Sequence, residues 1–124
     1  MADFRESESE RQLRLVTDNV RVGIAHCDTE ARYKFVNRHW AERRCLTPEQ
    51  MVGKSVPEVV GEDYWATFLE HHFRECLAGK AVEFEAVVDF PYRPGEPQFV
   101  RCCYEPEWRD GKVVGLIAAI TNIY

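Results

Sequence analysis

The chain has 124 residues, 45% of them hydrophobic and 30% charged, which suits one globular domain and leaves no room for a second of ordinary size. Sixteen Lys and Arg against twenty-one Asp and Glu give a net charge of −5, the wrong sign for a domain that tracks nucleic-acid phosphates. The longest apolar run, 116–120, falls far below the ~20 residues of a membrane helix, and the acidic start lacks the order of a secretion signal, so a cytoplasmic chain without a membrane segment is expected.

Residues 1–17 are polar and acidic, and Leu13, Val16 and Val20 form the only apolar stripe near them. That spacing predicts a helix whose apolar face is too narrow to anchor a core, so it leans on the domain or pairs with a partner helix. From Val22 the chain alternates to Cys27, passes Asp28 to Ala31, and alternates again with Tyr33, Phe35 and Asn37 on one side of a β-hairpin. Asn37 is a favoured N-cap for a short helix over 38–44 carrying Trp40 and Ala41. Thr47-Pro48-Glu49-Gln50 opens another helix, with Gly53 closing it, and Pro57 and Gly61 bound a further turn.

Residues 62–78 carry the longest helical pattern: Trp65, Leu69, His72 and Cys76 recur at intervals of four and three, flanked by Phe68 and Phe73, and Gly79 ends the run. Three strands follow. Residues 80–90 alternate strictly, with Val82, Phe84, Ala86, Val88 and Phe90 opposite Glu83, Glu85 and Asp89. Pro91 to Pro97 is a loop, 98–105 alternates again, Pro106 to Gly111 turns the chain, and 113–123 is apolar on both faces, as a central strand must be.

In this order the segments resemble a PAS domain, the sensory module of bacterial signalling proteins. The resemblance rests on GIAHCDTEARYKFVN at Gly23 to Asn37, LTPEQMVGKSVPEVV at Leu46 to Val60, the long helix ending in LAGKAVEFE at Leu77 to Glu85, and the closing DGKVVGLIAAITNI at Asp110 to Ile123. It implies an α+β fold: a five-stranded antiparallel sheet in the order 2-1-5-4-3, with the short helices and the long helix on one face around a pocket. It also divides the chain into an N-terminal flanking helix, 1–20, that mediates dimers, and a sensory domain, 21–124. Many members end the last strand in Asp-Ile-Thr, the link to the effector; here the chain reads Thr121, Asn122, Ile123, so any salt bridge through that point is lost, while Thr121 and Asn122 keep the place of signal output.

Five cysteines, Cys27, Cys45, Cys76, Cys102 and Cys103, are odd in number and lack a CxxC pair, which reads as reduced packing thiols. Cys102 and Cys103 point to opposite strand faces and suit neither a mutual disulfide nor a shared metal. The stretch Ser55 to Gly61 holds no Cys, against the cysteine-adduct flavin chemistry of some relatives.

Helical spacing places His72 inward beside Trp65, Leu69 and Cys76, with His71 toward solvent. Haem-binding relatives take an axial ligand from this helix, but His72 does not align with that position, and a hydrogen-bonded histidine at the core edge is the plainer reading. His71 and Glu75 read as a solvated i,i+4 pair rather than a chelate. Trp40, Val56, Tyr64, Phe84, Cys102 and Tyr104 join His72, Trp65 and Leu69 as candidate pocket walls. Arg101 suits a carboxylate ligand or, more simply, Glu83 or Glu85 on the next strand.

No HExxH, GxSxG, P-loop or GxGxxG motif is present, and alternation points His26 and Cys27 to opposite faces, so no dyad forms there. The sequence therefore reads as a regulatory PAS sensor, not an enzyme, sensing a small ligand or redox state. Its expected setting is a homodimer that biases an effector such as a histidine kinase, a diguanylate cyclase or a transcription regulator. The alternatives are a PAS interaction module with a filled core and, less well supported, a small α+β enzyme using His72 with a buried carboxylate.

Overall fold

The computed structural model describes Arg11 and residues 21–123. The expected flanking helix over 1–20 lies outside the described residues, Arg11 apart. Strands β1 (Gly23–Asp28) and β2 (Tyr33–Val36) lead into three short helices, α1 (Arg38–Glu42), α2 (Pro48–Met51) and α3 (Val56–Val60). A continuous helix, α4, follows over 62–77, and then strands β3 (Val82–Val88), β4 (Gln98–Arg109) and β5 (Lys112–Asn122). The strands form one antiparallel sheet in the order β2-β1-β5-β4-β3, as expected.

β5 is central because it is the strand able to lose water on both faces. Leu116, Ala118 and Ile120 are buried on the helix side, and Ile117 and Ala119 are half-buried on the other. β3 is an edge strand whose Glu83 and Glu85 stay exposed while Val82, Phe84, Ala86 and Val88 pack inward. The two capping boxes form: Thr47 accepts from the Gln50 amide and Ser55 from the Glu58 amide, while each partner side chain reaches back.

Three local expectations are corrected. Tyr33 and Phe35 do not share a face, because the register shifts between His26 and Cys27: Tyr33 pairs with Cys27 and Phe35 with His26. Pro106 is not in a turn. β4 runs on to Arg109, pairing Pro106 with Leu116, and the missing N–H is tolerated because β3 has ended at the Val82–Tyr104 pair. The turn is the dipeptide Asp110-Gly111, both at positive φ, as a tight hairpin requires.

The third correction concerns α4. The segment Trp65–Leu69 winds as a π-turn, in which the Glu70 amide donates to the Trp65 carbonyl. That wider turn rotates the two halves of the helix relative to a regular α-pattern. The buried face is therefore Leu69, Phe73 and Cys76, and His72 falls to one side of it.

A donor-lined cavity beneath the helices

Asn37 sets the position of α1. Its side-chain oxygen accepts from the Trp40 amide at 3.0 Å and from the Ile24 amide at 2.9 Å, and its Nδ2 donates to the Val22 carbonyl at 2.8 Å. The capping residue thus ties the helix to β1, and it is fully buried. At the other end, Cys45 adopts φ 57° while Leu46 donates to the Ala41 carbonyl at 3.1 Å and Cys45 to Glu42 at 3.0 Å. This left-handed closure ends the helix directly after Arg43 and Arg44. Trp40, Arg43 and Arg44 then share the inward side of α1, at the i, i+3, i+4 spacing of neighbours on a helix face.

Between α1, α3, α4 and the sheet lies a cavity of about 60 Å³, several times the ~10–15 Å³ that one water needs. Its apolar walls include Val56, Leu69, Phe73, Phe84 and Phe90. Its polar walls are Tyr33, Tyr64, Tyr104, Trp40, Arg43 and Arg44, with the thiols of Cys27 and Cys102. The π-turn has a purpose in this geometry: it brings Tyr64 and Leu69, five residues apart, to the same cavity.

Among the expected pocket residues, Trp40, Val56, Tyr64, Leu69, Phe84, Cys102 and Tyr104 are brought together at this wall. His72 and Trp65 are not. His72 lies flat on Phe84, centroids 4.0 Å apart and planes at 2°, with its Nδ1 buried and unpartnered. Trp65 meets Phe73 edge-on and lines a shallow outer cleft with Pro57 and Arg74. The phase change in α4 is the cause in both cases. His72, the histidine weighed as a haem ligand, is not among the described residues that line the cavity. Among the described residues no carboxylate lines the cavity, and the described hydrogen bonds join His72 to none, so these residues do not assemble the acid-base pair of the enzyme reading.

Arg101 takes the simpler course, donating to Glu85 at 3.0 Å on the outer face. His26 and Cys27 do diverge: Cys27 reaches the cavity, and His26 Nε2 meets Glu107 at 2.6 Å across β5. Among the described residues no three ligating side chains converge as a metal site.

Sequence reasoning did not single out Arg43 and Arg44. The available signal was their spacing from Trp40. Burial lowers the pKa of both guanidiniums from the usual arginine value, opposed by the nearby hydroxyls and thiols of Tyr92 and Cys102 for Arg43, and of Tyr33, Tyr64 and Cys102 for Arg44. Arg43 Nη1 donates to the His39 carbonyl at 3.1 Å and Nη2 to Asn122 Oδ1 at 2.9 Å. Arg44 lies over the Phe90 ring, 5.0 Å from its centroid. The thiols are held protonated by burial: Cys76 is pushed up to about 11, Cys102 to about 12, and Cys27 further.

The chain matches the family described as PAS fold over residues 17–123. Among solved structures it is similar to the PAS domain of BvgS from Bordetella pertussis, at 20% identity and TM-score 0.75, covering 95% of this chain and 88% of that one. It is similar to a sensory box sensor histidine kinase from Vibrio cholerae at 17% identity and TM-score 0.69, covering 94% and 92%. It is also similar to VqmA bound to DPO, at 19% identity and TM-score 0.76, covering 91% of this chain. Against that protein the chain spans 57% of the length. No curated protein matches the sequence.

Proposed function

Since the chain belongs to the PAS fold family, matched over residues 17–123, we propose that it is a sensory domain that binds a small molecule in the cavity beneath α1 and α4 and passes the bound state to an effector. The observation that supports this reading is the cavity itself, enclosed by apolar side chains and carrying convergent hydrogen-bond donors. VqmA, a structural neighbour, is described as bound to DPO. Ligand sensing is favoured over redox sensing through the buried thiols, because burial keeps Cys27, Cys76 and Cys102 protonated and unreactive.

Output runs through the end of β5. Arg43 lines the cavity and also a surface cleft that includes Thr121 and Asn122, so one side chain touches both places. Asn122 in turn donates from Nδ2 to Gln98 Oε1 at 2.8 Å. A guest that recruits Arg43 draws on the hydrogen bond holding Asn122, and the coupling equals the guest's difference in affinity for the two arrangements. The effector is of the kind that sensor kinases carry, the setting is cytoplasmic, and the working form is a homodimer involving the flanking segment 1–20. Val87 and Phe99, paired on the sheet and more than half exposed, offer apolar surface to such a contact.

The test is native mass spectrometry with an absorbance scan on protein purified from cells, followed by hydrogen exchange at 121–123 with and without any ligand found. A bound mass, with altered exchange at the end of β5, is expected. A clean chain mass with no guest, and no stabilisation by any member of a broad metabolite set, would refute ligand sensing and leave an interaction module.

A further inference from the structure

The sensory reading leaves the guest unidentified, and the inference here rests on that reading and assigns the guest's chemistry. The polar side chains of the cavity wall are two guanidiniums, three phenols and an indole, and the Trp40 indole already donates to the Tyr33 hydroxyl. Among the described residues, no Asp, Glu, Asn, Gln or His lines it. Neither Arg43 nor Arg44 has a carboxylate within ion-pair distance among the described residues. Arg43 Nε is buried without a hydrogen-bond partner. A guanidinium does not shed its proton in a protein, so two adjacent half-buried positive charges stand without a carboxylate partner among the described residues.

A cationic or purely donating guest would worsen that imbalance, and a neutral one would leave it. An anion relieves it, and a planar carboxylate matches the guanidinium fork. The rest of the wall, Leu69, Phe73, Phe84 and Phe90, asks for an apolar body, and because about 60 Å³ is less than the ~150 Å³ in which a benzene ring sits, that body is compact and the wall parts to admit it. A phosphate ester fits less well, since its tetrahedral headgroup is bulkier than a planar carboxylate and matches the guanidinium fork less closely.

We propose that the cavity recognises a compact aromatic or branched-chain monocarboxylic acid, with its carboxylate held by Arg43 and Arg44 and its apolar body against Phe84 and Leu69.

The test titrates the whole chain, by calorimetry and thermal denaturation in low-chloride buffer, with benzoate and 3-methylbutanoate against benzamide and 3-methylbutanamide. The acids are expected to bind about tenfold or more tighter than the amides, the scale of a charge-assisted contact. Arg43→Gln and Arg44→Gln should each remove most of that preference while keeping the amide affinity. Should a glutamine variant not fold, Arg44→Lys, which keeps the charge and loses the fork, is expected to retain part of the preference. Amides binding as tightly as acids, a preference that survives both substitutions, or phenyl phosphate outbinding benzoate would each overturn the proposal while leaving a ligand-binding cavity. If neither acid nor amide binds, the proposal falls, and indole as a neutral apolar probe then separates the cases: binding leaves the sensory reading standing, and its absence removes both.

Discussion

Replacing Asn37 by Ala tests how the donor wall is positioned. Three hydrogen bonds of 2.8–3.0 Å end on this fully buried side chain, one capping α1 and two fastening it to β1. Loss of the cap costs about 1 kcal/mol, and the Ile24 amide and Val22 carbonyl, left without this partner, add about 1–2 kcal/mol each. A total of about 3–5 kcal/mol is a large part of the stability of a small domain. With about 2.1 cal/mol/K of unfolding entropy per residue, 124 residues convert this to a fall in Tm of about 12–19 °C. Differential scanning calorimetry and urea denaturation measure it. Asn37→Ser keeps an oxygen able to cap but too short to reach β1, so it should recover only about 1 kcal/mol. A Tm for Asn37→Ala within about 4 °C of the parent, or full recovery in Asn37→Ser, would refute the idea that this residue ties the helix bearing Trp40, Arg43 and Arg44 to the sheet.

Three further outcomes are expected. Gly115→Ala would place a Cβ 2.3 Å from the Cys27 carbonyl oxygen and 3.1 Å from Glu107 Oε1; parting β1 from β5 and disturbing the His26–Glu107 contact should cost about 3 kcal/mol or more, and an unchanged urea midpoint would show that the strands yield freely. Burial and neighbouring His71 lower the His72 pKa below 6.5, against the pull of Glu75, so the unfolded chain takes up its proton first. The contribution of His72 is thus complete above pH 6.5 and is lost as pH falls below it toward the folded value. His72→Phe should flatten that acid-side slope in urea titrations carried downward from pH 6.5, and an identical slope in the variant would exclude the role. Finally, Cys45 is exposed, Cys103 half-buried and Cys27, Cys76 and Cys102 buried, so an aromatic disulfide reagent should label Cys45 fast in the native protein and the buried three only on unfolding; fast labelling that persists when both Cys45 and Cys103 are replaced by Ser would contradict the burial.

Much of the frame was legible in the chain itself because it depends on local rules. Alternation marked β3, the doubly apolar run marked β5 as central, and Asn37, the Thr47 cap and Gly79 sit where backbone groups need a side-chain acceptor or a positive φ. The order of these pieces was enough to indicate the family and most of the cavity wall. What the sequence could not decide was phase and partnership. An extra residue in one helical turn moved His72 and Trp65 off the cavity and brought Tyr64 onto it, and no spacing rule read along the chain announces such a turn. Pro106 is allowed within β4 only because β3 stops short of it, a fact of the sheet rather than of the segment. Arg43 and Arg44 look like ordinary surface charges until tertiary packing closes the wall around them with no acid within ion-pair reach. Charge is a property of the residue, but whether it is solvated, paired or waiting for a guest depends on everything packed against it.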